Sequence, residues 1–260
     1  MKKYLNILYI LLIIIILLII LYYNNYKILE KYENPNPKIL LINYANKGFV
    51  NSRKEQKETA LSIAGIHEVI EYNFDDIDDE FKEECSQHFS QSRGAGYWVW
   101  KPYLILKTLY TMNEGDILVY CDAGANFRGS ILPSIEKMQG SIMLFYYDAH
   151  ESEKKWTKKD IFLELNALEN SDVLDIDHVE SGFLILKKSS ESIDFINKWL
   201  ELCKNYHLVS DEPSNEPNFP EFIENRHDQS LLSVLGKVYK NTYNIMFDDK
   251  PFINHHRSRA

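Results

Sequence analysis

The sequence predicts an α/β fold, a mostly parallel sheet flanked by helices, preceded by one apolar N-terminal helix. Three observations carry this. From Ile39 onward, short apolar runs alternate with longer amphipathic ones, the pattern of strand–helix units. The run Ile117–Cys121 has the length and composition of a buried strand, and it breaks off abruptly into Asp122-Ala123-Gly124. Tyr4 to Tyr23 is almost entirely Leu, Ile and Tyr, with Asn6 its one strongly polar residue.

That first run is about twenty residues, which as a helix spans roughly 30 Å, the thickness of a bilayer core. Tyr4, Tyr9, Tyr22 and Tyr23 lie at or near its ends, where amphipathic rings favour the interface. A cleaved signal peptide would have a shorter core and small residues at its cleavage site, whereas Tyr22-Tyr23-Asn24-Asn25-Tyr26 follows here. The reading is an uncleaved signal anchor over 1–23. Residues 24–37, polar and carrying Pro35 and Pro37, read as a stalk, and 38–260 as a globular domain large enough for a sizeable core. Lys2 and Lys3 favour a cytoplasmic N-terminus, which Lys27 and Lys31 on the other flank oppose.

The domain's elements follow in order. Ile39–Tyr44 and Glu68–Tyr72 read as strands, with a helix over Arg53–Ala64 between them. Asp79–Phe89 reads as a polar helix, and Lys101–Met112 as a helix with Pro102 in its first turn. After Ile117–Cys121 come a helix over Ser130–Met138, a strand over Ser141–Tyr147, and a helix over Thr157–Leu165 capped by Thr157. A strand over Gly182–Leu186 precedes an amphipathic helix over Ser189–Tyr206, with Ile193, Ile196, Trp199, Leu200 and Cys203 on one face. Pro213, Pro217 and Pro220 mark a loop, and His227–Leu235 a last helix.

The net charge of -9 and pI near 5.4 exclude non-specific nucleic-acid binding, which needs a basic surface. Asp75 to Glu80 reads as a solvated loop and helix start rather than a metal site. Cys85, Cys121 and Cys203 are too scattered for a zinc site, and Cys121 reads as a buried thiol.

Five clusters are candidates for chemistry. Arg93-Gly94-Ala95-Gly96-Tyr97-Trp98-Val99-Trp100-Lys101-Pro102 combines close backbone approach, aromatic surfaces and two cations, which suits a nucleotide and equally an aromatic core corner. Asp122-Ala123-Gly124 places a hard oxygen ligand where a buried strand ends, the usual ligand position of open α/β sheets, and also fits a plain turn. Glu180-Ser181-Gly182 enters an apolar strand. Arg226-His227-Asp228-Gln229 opens a helix, where Asp228 also fits a cap. Asn254-His255-His256-Arg257 is either a disordered end or the source of a metal-binding imidazole.

Together these residues resemble a GT-A-type glycosyltransferase of the nucleotide-diphospho-sugar transferase superfamily, in a branch where a Gly-x-Gly-Tyr-Trp-x-Trp-Lys-Pro segment precedes a strand ending in Asp-Ala-Gly. Trp156-Thr157-Lys158-Lys159-Asp160 and His227-Asp228-Gln229-Ser230 match further patterns of that branch, and the likeness covers Lys38 to Arg257. The resemblance implies a Rossmann-like GT-A sheet and transfer of a sugar from a nucleotide-diphosphate sugar to a glycan, protein or lipid acceptor. It implies Mn²⁺ or Mg²⁺ on the diphosphate, held by Asp122, with His255 or His256 as a further ligand; the second carboxylate of the usual Asp-x-Asp is replaced by Gly124. Asn43, Tyr44 and Ala45 match the loop that contacts base and ribose. Asp228-Gln229 matches the pair near the transferred sugar, with Glu180-Ser181-Gly182 facing the donor. The transition state and departing diphosphate call for cations, for which Arg93, Lys101 and Lys158 are candidates, with Trp98 as a stacking surface. Asp228 or Glu180 would serve as base in an inverting reaction, or stand on the opposite face of the sugar in a retaining one. The expected topology is type II, with the domain in the Golgi or ER lumen if the host is eukaryotic. The alternatives are an inactive GT-A-like domain that binds sugars or acts as a scaffold, and, last, a phosphate-ester hydrolase.

Overall fold

The computed structural model describes residues 12–22, 36–147, 151–249 and 252–255. It divides into two units, Met1–Pro37 and Lys38–Ala260. In the first, 12–22 is helical, and its Leu and Ile side chains are exposed along its whole length. Among the described residues no helix is long and apolar enough to cross a membrane. The expected span Tyr4–Tyr23 runs at both ends into residues outside the described ones, as does most of the expected stalk.

The second unit is built on a six-stranded sheet in the order β2-β1-β3-β6-β5-β7. Its strands are β1 (Ile39–Tyr44), β2 (Glu68–Tyr72), β3 (Ile117–Cys121), β5 (Ile142–Tyr146), β6 (Val179–Lys187) and β7 (Met246–Asp248); β4 (Ala125–Phe127) and β8 (Ile253–His255) form a separate antiparallel pair. β1 runs parallel to β2 and β3, and β7 parallel to β5, while β6 runs against both β3 and β5. The sheet is therefore mostly parallel, as expected, with one reversed strand at its centre.

β1 and β3 are buried at every position, because both faces of the sheet are covered. On one face Leu40, Ile42, Leu118, Tyr120, Leu184 and Leu186 meet α2 (Trp100–Thr111), α3 (Ser190–Lys204) and α4 (Asp228–Val238). On the other, Leu41, Val119, Cys121, Phe145, Phe183 and Ile185 meet Ala60, Ala64, Phe127 and Ile253. The first α-helix of this unit, α1 (Val50–Thr59), continues through a π-helical turn, Ala60–Ala64, and stops at Gly65 with φ 86°. α3 starts at a Ser189 capping box and buries Phe195, Ile196, Trp199, Leu200 and Cys203.

Two expectations are corrected. The polar helix over Asp79–Phe89 is broken at Cys85 into Asp79–Glu84 and Ser86–Phe89. Thr157 does not cap a helix: the helix there is Lys159–Glu164, and the Thr157 hydroxyl instead donates to Glu153 Oε1 at 2.5 Å. All three cysteines are buried thiols, and burial pushes the Cys85 thiol up to about 12.

Candidate active site at the carboxyl edge of the sheet

β3 delivers Asp122 to the edge where the parallel strands end. Its backbone makes the expected turn, with Ala125 N–H donating to Asp122 O at 3.1 Å. Its carboxylate is also held. The Tyr120 hydroxyl donates to Asp122 Oδ1 at 2.6 Å, from two positions back along the strand and hence on the same face. Burial, reinforced by Asp122, raises the Tyr120 phenol well above its ordinary value and keeps that proton in place. From α1, Gln56 donates to Asp122 O at 2.7 Å and to Ala125 O at 2.9 Å, and itself accepts from Asn43 Nδ2 at 2.7 Å.

β6 is reshaped to reach the same place. Its register against β5 slips between Leu144 and Phe145, so that Leu144 faces Leu184 but Phe145 faces Glu180. The irregularity re-aims Ser181 and Gly182. Gly182 O accepts from Asp122 N at 2.8 Å, and a Cβ on Gly182 would stand 3.0 Å from Asp122 Oδ2. The glycine thus clears the space beside the second carboxylate oxygen.

Lys101, in the first turn of α2, joins these parts. Its ammonium lies 2.9 Å from Asp228 Oδ2 and 3.6 Å from Asp122 Oδ1, and donates to Ser181 Oγ at 3.0 Å. The Lys101 and Asp228 side chains are 2% and 4% exposed, while that of Asp122 is 43% exposed and forms the open end of the triad. Burial disfavours the Lys101 ammonium, but Asp122 and Asp228 outweigh it and raise its pKa. Burial likewise raises the Asp228 carboxyl above the usual carboxylate range, against the pull of Lys101. Asp228 is not a cap: α4 begins at this residue without a side-chain cap, and its carboxylate goes to Lys101. Trp199 fixes the backbone there by donating to Asp228 O at 2.9 Å. Gln229 Oε1 accepts from Ser181 N at 3.5 Å.

The glycine-rich segment supplies a strained support. Gly94, Ala95, Gly96, Tyr97 and Trp98 all have positive φ, at 59°, 51°, 102°, 51° and 59°, so this is one left-handed turn. It sets the Tyr97 and Trp98 rings against the His227 imidazole, at 5.1 and 5.2 Å between centroids. His227 itself has φ 59° and carries the chain into α4. Strain of this kind concentrates at functional sites.

The remaining sequence candidates are placed as follows. Glu180 is buried in β6. Tyr44 stacks on Trp100 at 3.8 Å, Ala45 N–H donates to Tyr72 O at 3.1 Å, and Asn43, Tyr44 and Ala45 are all buried. Gly124 lies in the turn after Asp122. Arg93 pairs with Asp211 and Glu224, each at 3.2 Å. Lys158 is buried, donates to His207 O at 2.5 Å, and has its pKa lowered by burial. His255 closes β8, its backbone in register with Ala125 just beyond Asp122; its side chain and His256 lie outside the described residues. The structure thus gathers Asp122, Lys101, Asp228, Gln229 and the Glu180–Gly182 strand, and engages Lys158 elsewhere. Tyr120 and Gln56 join the site without having been singled out. The same-face spacing of Tyr120 and Asp122 was a readable signal, but nothing in α1 marks Gln56.

No family model matches the chain, and no curated protein matches it. Among solved structures it is similar to the apo form of the bifunctional glycosyltransferase WbbM, at 9% identity and a TM-score of 0.47, over 82% of this chain and 39% of that one. The chain spans well under half of WbbM's length. It is similar to mouse xyloside xylosyltransferase 1, at 11% identity and a TM-score of 0.42, over 82% of this chain and 84% of that one. It is also similar to the glycosyltransferase GlyE of Streptococcus pneumoniae TIGR4, at 14% identity and a TM-score of 0.41, over 82% and 45%.

Proposed function

We propose that the chain is a membrane-anchored glycosyltransferase that moves a sugar from a nucleotide-diphosphate sugar to an acceptor hydroxyl, with Mn²⁺ or Mg²⁺ on the diphosphate. One observation carries the reading: two carboxylates, Asp122 and Asp228, converge on one buried ammonium where the parallel strands end. A buried ion cluster is a poor way to gain stability, so its presence at a ligand-binding edge favours a chemical role. The GT-A motif resemblance names the chemistry.

Charge supports the cation. Lys101 is already balanced by two carboxylates, Arg93 by Asp211 and Glu224, and Lys158 is turned to a backbone carbonyl. Among the described residues no group of three or more His, Cys, Asp or Glu is placed to hold a metal. Asp122 Oδ2, beside the space that Gly182 leaves open, fits one ligand position. The β4–β8 pairing supports His255 or His256 as a source of a second. When bound, the cation would offset charge building on the departing diphosphate. Tyr120 and Lys101 hold the Asp122 carboxylate in orientation. Asp228, less acidic than an ordinary carboxyl, suits a proton acceptor, with Gln229 next to it in the chain and Glu180 on β6 as the further candidates at the sugar. The exposed apolar helix at 12–22 supports a type II anchor, which would place the domain in a lumen in a eukaryotic host. A second reading, an inactive sugar-binding or scaffolding domain, draws on Gly124 standing where a second carboxylate is usual and on Lys101 already occupying Asp122.

Calorimetric titration of the full chain in detergent with nucleoside diphosphates, with and without Mn²⁺, tests the donor site. Binding that needs Mn²⁺ and is lost in Asp122→Asn is expected. Binding indifferent to both would remove Asp122 and the cation from the proposal.

A further inference from the structure

Arg93 and Arg226 share one carboxylate. Glu224 Oε2 lies 3.2 Å from Arg93 Nη2, and Glu224 Oε1 lies 3.0 Å from Arg226 Nε. Two guanidinium groups with one oxygen each is how proteins grip a carboxylate or a phosphate. Arg226 was read from sequence only as part of a helix opening, and the centre described above leaves it unused. Its setting is rigid. The guanidinium carbon lies 4.2 Å from the centroid of the Trp156 ring and 5.9 Å from that of Tyr147, and its backbone N–H donates to Trp156 O at 3.0 Å. Among the described residues none of its guanidinium nitrogens makes a hydrogen bond, Nε lying close to Glu224 without one. The side chains of Arg93, Glu224 and Arg226 are 46%, 40% and 30% exposed, so a solute reaches all three.

Glu224 is placed to yield. It sits in the 222–226 segment, outside any helix or strand. The backbone there is tethered, Ile223 N–H donating to Lys155 O at 2.8 Å, so release of the carboxylate needs only rotation of its own side chain. Asp211, 3.2 Å from Arg93 Nη1, stays behind and keeps that arginine in place.

The location selects the ligand. Arg226 comes just before His227 and Asp228, and Arg93 opens the left-handed turn whose rings flank His227. Asp122 is tied from its other side, to Gln56 and the β4 strand. The sequence of the 211–220 loop, which begins at Asp211 beside Arg93, is expected to shape the acceptor site. We infer that Arg93 and Arg226 form an oxyanion subsite for a phosphate or carboxylate borne by the acceptor, with Glu224 as a resident carboxylate that this group displaces. The inference rests on the sugar-transfer reading for the word acceptor and on the two arginines for the rest.

The test titrates the full chain with glucose 6-phosphate, with glucuronate and with UDP, followed by tryptophan fluorescence. Arg226→Gln is expected to weaken both acidic sugars about tenfold, and Glu224→Gln to tighten them several-fold, with UDP affinity unchanged in both variants. A preference for one acidic sugar separates phosphate from carboxylate recognition. Unchanged sugar affinity in Arg226→Gln, or weakened affinity in Glu224→Gln, would overturn the subsite. Loss of UDP binding in Arg226→Gln would move the oxyanion to the donor diphosphate and overturn the acceptor assignment. Absence of UDP binding in the unaltered chain, with acidic sugars still bound, would count against the transferase reading and leave the subsite standing.

Discussion

Lys101 is the residue on which the site's electrostatics turn. Removing its charge leaves Asp228 buried without a charged partner, and such a loss costs about 3–5 kcal/mol. Lys101→Met is therefore expected to lower stability by about that much near neutral pH, measured by denaturant unfolding. The sign of its pH dependence follows from Asp228. A carboxyl whose folded pKa is raised favours the folded state below its ordinary value and loses that advantage as pH rises through the folded value. Acidification should thus recover part of the stability lost in Lys101→Met, and a deficit independent of pH would separate the two groups. Glu153 behaves oppositely. It is fully buried and accepts from Thr157, His178, Ser233 and Lys237. Burial pushes its carboxyl up, but His178 and Lys237 outweigh that and bring it from 4.5 to about 2. Its stabilisation is present above the ordinary value and is lost as pH falls from there towards about 2, on the order of 3 kcal/mol. Glu153→Gln should flatten that acid limb; an unchanged limb would assign it to other carboxyls.

At the scale of elements, the left-handed turn 94–98 is the departure from ordinary geometry. Each of its non-glycine residues carries roughly 1–2 kcal/mol of strain, more than the 0.5–1 kcal/mol that glycine loses in backbone entropy. Ala95→Gly should then stabilise the protein by about 0.5–1 kcal/mol, where the same change in an ordinary helix destabilises it. A loss of stability in the denaturation midpoint would mean that Ala95 is not held at positive φ. Gly96→Ala should destabilise, since φ is 102° and the new Cβ would stand 2.9 Å from Phe89 Cδ1. The Gly-x-Gly spacing announced unusual backbone, but not a left-handed turn running on through Tyr97 and Trp98. The core strands were legible because apolar runs bounded by polar residues mark them: β1, β2 and β3 begin and end where the sequence placed them. β6 extends back through Glu180 and Ser181, whose polarity hid their strand conformation, and the three-residue strands β4, β7 and β8 are too short to show a period. The reversal of β6 is a property of chain direction, which composition does not record.

Over the whole molecule, four of the clusters flagged separately in the sequence meet at or beside one edge of one sheet. Asp122, Lys101, Ser181 and Asp228 were visible as residues. What was not visible is that a single ammonium joins them, because contacts across long sequence separations leave no local pattern. The net charge of -9 fits the same picture, since an acidic chain whose described site cations are already paired or turned to carbonyls binds a diphosphate better through an added cation. Under the proposed function, this edge transfers sugar from a nucleotide donor. The most direct measurement is release of free nucleotide from a panel of sugar nucleotides by the full chain, with Mn²⁺ and with EDTA, beside Asp122→Asn. Turnover of one donor is expected, abolished by EDTA and reduced at least about a hundredfold in the variant. Turnover that survives both changes would contradict the role of Asp122, and donor binding without turnover on any acceptor would leave a sugar-binding protein instead.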